Sequence, residues 1–186
     1  MKILILGYSN LAKRKIIPAL KKIKGLEFDI ASITSSPINN GHKSWYRNYI
    51  HALSTSSSKI VYISLVNSLH YHFINKAISL GKHVITDKPI ALNNHEVVKL
   101  LHKAKKKGVL ISEALTFNYH AQFSELKKII ARNKPAKNII MKFNIPKPKK
   151  NDTKLSSKLG GGCFNDMIPY AAEINRIFLK KNINIK

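Results

Sequence analysis

"VITDKPIAL", residues 84–92, is the stretch on which the reading of the fold turns. The short apolar run "KHVIT" that leads into it suits a buried strand. It ends at once in Asp87, Lys88 and Pro89. Taken alone, a lysine beside a proline in a turn is an ordinary surface feature. Whether this one is special depends on what lies at the ends of the other strands.

Working outward, strand and helix patterns alternate on both sides of that stretch. "KIVYISL" (59–65) reads as a strand and "SLHYHFINKAISLGK" (68–82) as a helix closed by Gly81. "NNHEVVKLLHKAKKKG" (93–108) is a helix capped by asparagine and stopped by glycine, and "VLISEAL" (109–115) is a further strand. Nearer the N-terminus, "KILILG" (2–7) is a near-continuous apolar run, as a strand buried on both faces requires. In "NLAKRKIIPALKKIKG" (10–25), Leu11, Ile16, Ala19, Leu20 and Ile23 fall at helical spacing, with Asn10 as the expected cap and Pro18 as a kink. "FDIASIT" (28–34) is the second strand, and a modest helix is expected near residues 45–50. This rhythm predicts an α/β fold: parallel strands joined by right-handed helical crossovers.

After Leu115 the rhythm changes. A helix is expected over 120–133, a half-exposed strand over 138–145, a polar and mobile Pro/Lys-rich stretch over 146–162, and a last helix over 163–179. The domain boundary is placed near residues 116–120, giving domains 1–118 and 119–186. Asp166 and Tyr170 stand four residues apart on one face of the last helix.

Composition narrows the function classes. Lys and Arg total 33 against 9 Asp and Glu, a net charge of +24. The lysines are scattered through every segment, and the clusters at 21–24 and 103–107 fall on exposed helix faces or ends. No aromatic residues interleave with them as a nucleic-acid stacking platform needs, so solvated lysines are expected and a nucleic-acid partner is not. A single cysteine, Cys163, rules out an internal disulfide and points to a reducing compartment. No apolar stretch approaches the ~20 residues of a membrane span. The start "MKILILG" reads as a strand, not a signal peptide, so a soluble cytoplasmic protein is expected. His72, His83 and His95 lack metal-ligand spacing, and no metal is expected.

The first strand, its turn and its helix have the layout of the phosphate end of a dinucleotide fold. The turn is "GYSNLA" (7–12): Gly7 is the first fingerprint glycine, Ser9 replaces the second, and Ala12 is an accepted third. A plain strand-to-helix turn reads equally well from these residues alone. Where the second strand ends, "SITSSP" offers no acid, which admits NADP without demanding it.

Together, "ILILGYSNLAKRKIIPAL", "VYISLVNSLHYHFINKAISLGKHVITDKPIAL", "SEALTFNYHAQ" and "GGGCFNDMIPYAAEI" resemble, in order and spacing, the glucose–fructose oxidoreductase/inositol dehydrogenase (Gfo/Idh/MocA) family. The resemblance implies a Rossmann-type doubly wound parallel sheet followed by a truncated second α/β domain. It implies an NAD(P)-dependent oxidoreductase, using NADP or NAD, that acts on a sugar or nucleotide-linked sugar. "DKP" matches the family's "EKP", so the resemblance gives Lys88 a catalytic role. Asp166 and Tyr170 match its second catalytic element, with Ile168 where that element has glycine. Cofactor-binding positions implied in the same way are Gly7, Ser9, Asn10, Leu11, Ser35, Ser36, Leu65, Asn67, His70, Asp87, Lys88 and Glu113. Members are longer than this chain. The resemblance therefore leaves three expectations open: an inactive product, completion of the sheet by a second copy or another polypeptide, or a minimal protein that keeps cofactor binding.

Overall fold

The computed structural model describes residues 1–34, 41–133, 138–148, 150 and 152–179. The chain separates into two compact units, Met1–Ala114 and Leu115–Lys186.

The first unit is built on a six-stranded parallel sheet: β1 (Lys2–Leu6), β2 (Glu27–Ala31), β3 (Trp45–Tyr46), β4 (Ile60–Ile63), β5 (His83–Thr86) and β6 (Ile111–Glu113). Its order is β3-β2-β1-β4-β5-β6. The chain runs outward from β1 on one side and returns to lay β4 on the other. The carboxyl ends of β1 and β4 therefore flank the switch point where α/β sheets take their ligands.

Alternation along each strand explains the apolar runs. Leu4 and Leu6 of β1 join Val61 and Ile63 of β4 in one core. Ile3 and Ile5 join Phe28, Ile30 and Tyr62 in the other. Phe73, Ile74 and Ile78 of α3 (Asn67–Ser79) and Leu100 of α4 (Asn94–Lys107) complete the first core. Ala12 and Ile17, from the segment after β1, complete the second. Asp29 is the buried exception in β2. Its carboxylate takes the Lys2 ammonium at 2.9 Å, the Ser56 hydroxyl at 2.7 Å and the Ser44 N–H at 3.1 Å. A buried carboxylate needs such partners.

The segment after β1 is not one regular helix. Ala12–Ile16 forms a π-helical turn, in which the Ile17 N–H donates to the Ala12 carbonyl, and α1 (Ile17–Lys21) follows. Pro18 accounts for it: an intact α-helix would press the proline ring on the carbonyl four residues back, and a widened turn relieves the clash.

Two expectations are corrected here. Trp45–Tyr46 is a strand, paired with Ile30 and Ala31, and the helix near it, α2, runs Tyr49–Thr55 behind an Asn48 cap. Edge pairing with β2 overrides the local helical pattern. The expected strand over 138–145 does not form: among the described residues this stretch is irregular. Ile140 and Ile145 are exposed, and no ladder partner is described for it. The second unit thus carries no strand among its described residues, and its α/β character is not seen.

What the second unit does contain is α5 (Ala121–Arg132), two short turns at Thr153–Leu155 and Ser157–Leu159, and α6 (Cys163–Phe178). Aromatic rings hold it. Phe117 meets Phe123 at 4.8 Å and Tyr170 at 5.6 Å between centroids, and Phe143 meets Tyr170 at 5.9 Å.

Candidate functional site

Gly7 cannot be another residue. Its φ is +97°, and a Cβ there would run into the carbonyl oxygen of Ser64 and lie 2.8 Å from Leu65 Cδ2. The exit of β4 passes over the turn, and only a bare backbone fits beneath it. The Gly7 N–H donates to Ala31 at 2.9 Å, tying the turn to β2 as well.

Ser9 does the capping expected of Asn10. Its Oγ accepts the Ala12 N–H at 3.0 Å and its carbonyl accepts the Lys13 N–H at 2.9 Å. Asn10 and Leu11 are exposed on the same turn, and the Lys13 ammonium sits 4.4 Å over the Tyr8 ring. Ser35 and Ser36 lie outside the described residues.

A chain of hydroxyls leads from this turn to the next strand ends. The Ser9 and Ser64 oxygens are 2.7 Å apart, and Ser64 donates to Asp87 Oδ2 at 2.6 Å. Tyr62 donates to Asp87 Oδ1. Burial, and then the negative charge of Asp87, push the Tyr62 phenol well above its ordinary range, so it stays protonated.

The loop bearing Lys88 is held from behind. Asp87 N–H donates to Ile63 at 2.9 Å, which extends the β4–β5 ladder to the residue before the lysine. The Lys88–Pro89 peptide is cis, Lys88 is half-buried and Pro89 is buried. His70 is fully buried. Its Nδ1 lies 2.6 Å from the Pro89 carbonyl oxygen and its Nε2 3.0 Å from that of Leu65. Glu113 Oε1 accepts the Ile90 N–H at 2.7 Å. Asn67 opens α3 between these groups in sequence and is half-buried. The structure thus brings Gly7, Ser9, Leu65, His70, Asp87, Lys88 and Glu113 to the carboxyl ends of adjoining strands. His70 and Glu113 act there through the backbone they hold.

In the second unit, Asp166 and Tyr170 lie on α6 as expected. Lys154 Nζ stands 3.8 Å from Asp166 Oδ2, and Tyr170 packs between Phe117 and Phe143. Two glycines before the helix are required for different reasons, Gly161 by crowding and Gly162 by its backbone conformation. A Cβ on Gly161 would lie 2.5 Å from the Lys154 carbonyl oxygen, and Gly162 has φ +111°. One turn beyond Tyr170, Glu173 accepts from Asn118 at 2.9 Å and from both arms of the Arg176 fork at 2.7 and 2.8 Å. The Arg176 hydrogen bonds, first of several causes, hold the Glu173 carboxyl below its ordinary range.

Sequence reasoning missed Ser64 and Tyr62. A hydroxyl at the end of a buried run, two residues after a buried tyrosine in "VYIS", was the available signal. Among the described residues, no group of three or more His, Cys, Asp or Glu is placed to hold a metal ion. No helix among them is long and apolar enough to cross a membrane.

A parallel sheet of this order, with a glycine turn jammed against the strand across the switch point, defines a Rossmann-type dinucleotide fold. Residues 1–115 match the model of the Gfo/Idh/MocA oxidoreductases, described as an oxidoreductase family with an NAD-binding Rossmann fold, and the chain belongs to that family. An uncharacterised oxidoreductase of Rhizobium meliloti is 28% identical over 97% of this chain and 59% of its own length. The dTDP-3,4-didehydro-2,6-dideoxy-alpha-D-glucose 3-reductase of Saccharopolyspora spinosa is 24% identical over 94% and 55%. D-xylose 1-dehydrogenase (NADP(+)) 2 of Haloferax volcanii is 26% identical over 94% and 56%. The chain therefore spans just over half the length of these relatives. The crystal structure of KijD10, a 3-ketoreductase from Actinomadura kijaniata, in complex with NADP and TDP-benzene, superposes with a TM-score of 0.82 at 23% identity. It covers 96% of this chain and 57% of that one, a likeness of fold.

Proposed function

We propose that the chain serves an NAD(P)-dependent oxidoreductase that acts on a sugar or nucleotide-linked sugar, with hydride transfer at a secondary alcohol or ketone carbon. The observation that carries this reading is the tight turn: Gly7, at φ +97° and packed under the exit of β4, closes β1 at the switch point beside the braced Lys88 loop. Gly7, Asn10, Leu11, Leu65, Asn67 and Asp87 would hold the cofactor, with Ser9, His70 and Glu113 shaping the backbone around it. Ser35 and Ser36 are proposed for the adenosine ribose, where the lack of an acid admits NADP.

When bound, a nicotinamide supplies or accepts the hydride. The chain's residues are left with the proton and the placement. The Lys88 ammonium polarises the substrate oxygen and can give it a proton in reduction, and in oxidation the neutral amine would take that proton back. Tyr170 is proposed to exchange a proton with the substrate through its hydroxyl, and Asp166 to help seat the substrate. The reductase and dehydrogenase named above support the substrate class.

Titration of the full chain with NADPH and NADH, followed by nicotinamide fluorescence, tests cofactor binding. In a dTDP-ketosugar reduction assay, Lys88→Ala is expected to cost about 10²–10⁴-fold in turnover, the worth of a general acid, with cofactor affinity kept. Equal turnover in that variant would refute the assignment.

A second reading is favoured by Ile168, which stands in the α6 element where the family's pattern has glycine. It is a catalytically inactive dinucleotide binder, or a partner subunit. NADPH binding without turnover across a panel of nucleotide sugars is the outcome that reading expects.

A further inference from the structure

Ser9 stands where the dinucleotide fingerprint has its second glycine, and the hydrogen bonds around it have a fixed direction. Ser64 owns one hydroxyl proton, and it goes to Asp87 Oδ2 at 2.6 Å. The 2.7 Å contact between the two serine oxygens is therefore made by the proton of Ser9. Ser9 Oγ in turn accepts the Ala12 N–H at 3.0 Å. Donors run one way: Ala12 to Ser9, Ser9 to Ser64, Ser64 to Asp87. Tyr62 fills the other oxygen of the same carboxylate. This chain crosses the ends of β1, β4 and β5 and stops one residue short of Lys88.

We propose that Ser9 is a positioning residue: through Ser64 it ties the dinucleotide turn to Asp87, and so to the Lys88 loop, and it is not itself a phosphate ligand. The proposal rests on the dinucleotide reading above and deepens it. A hydroxyl whose proton is committed to Ser64 offers a phosphate oxygen only lone pairs, and two acceptors repel. What Ser9 supplies is rigidity in the turn that follows Gly7. The serine is then no defect in the fingerprint, because its side chain is folded into the protein and spanned by Ser64.

Ser9→Ala and Ser64→Ala each delete one oxygen from the full chain. Amide hydrogen exchange at Ala12, read by NMR without cofactor, and NADPH affinity, read by fluorescence, are measured in both variants and in the double. Ser64→Ala lies outside the Ser9–Ala12 contact, yet it is expected to speed Ala12 exchange and weaken NADPH each by about fivefold, the worth of one hydrogen bond. The Lys43 amide, which donates to Phe28 at the far edge of the sheet, keeps its rate. The double variant is expected to bind NADPH no more weakly than the weaker single one. Unchanged Ala12 exchange in Ser64→Ala, or losses that multiply in the double variant, would overturn the proposal. A wild-type chain that binds no NADPH removes the dinucleotide reading instead, and the exchange measurement still decides the link from Ser64 to Ala12. Should circular dichroism show Ser64→Ala unfolded, Asp87→Ala removes the acceptor at the far end of the same chain and gives the same Ala12 readout.

Discussion

His70 and Glu113 grip opposite ends of one peptide unit. The imidazole Nδ1 meets the Pro89 carbonyl oxygen at 2.6 Å, and the carboxylate accepts the Ile90 N–H at 2.7 Å. One residue comes from α3 and the other from β6, and the peptide between them follows Lys88 directly. The loop is therefore fixed by groups on both of its sides, not by proline alone.

Removing either grip should loosen the loop unequally. His70→Ala removes a fully buried ring and its hydrogen bond to the loop and is expected to cost about 2–3 kcal/mol. Glu113→Gln keeps an oxygen for Ile90 and should cost less than about 1 kcal/mol. Urea denaturation of both variants checks this ordering, and equal losses would count against the double grip.

Gly7→Ala should be the most damaging single methyl in the first unit. It combines a φ of +97° with a collision against the Ser64 carbonyl. A cost of about 3 kcal/mol or more is expected, together with loss of NADPH binding. Thermal melts and fluorescence titration give both numbers, and a stable variant that binds would show that β4 can move away from the turn.

Acid should weaken the second unit through Glu173. Its folded-state carboxyl lies below the ordinary value of 4.5, chiefly because Arg176 hydrogen-bonds to it. The unfolded chain thus binds that proton more readily. The stabilisation is complete above about pH 4.5 and is lost as pH falls through the lower folded value. Glu173→Gln should melt below wild type near about pH 6, and the gap should narrow as pH falls below 4.5. A gap that persists in acid would place the effect in packing instead.

Tyr170→Phe separates the ring of that residue from its hydroxyl. Packing against Phe117 and Phe143 is kept, so the loss of stability should not exceed the worth of one hydrogen bond, about 1 kcal/mol. Turnover should fall about 10²-fold if the phenol moves the proton. Steady-state kinetics with a dTDP-ketosugar, compared with Lys88→Ala, measures it.

The alternation of apolar strands with capped helices, the glycine after β1 and the lysine after β5 were all legible in the sequence, because each is a local pattern set by residue type and period. Asn93 and Gly108 bound α4 as their types dictate. The short strand Trp45–Tyr46 was not legible, since two residues carry no period and only pairing with β2 makes them a strand. Nor was the irregular course of 138–145 among the described residues, because alternation describes a strand's faces and says nothing of whether a partner exists. Above all, tertiary structure alone decided what the polar residues at the strand ends do. Ser9 finds Ser64 across 55 residues, His70 finds Pro89 across 19 and Glu113 finds Ile90 across 23. Parallel strands bring such residues together only after the crossovers between them have folded, so no window of sequence short enough to read contains both partners.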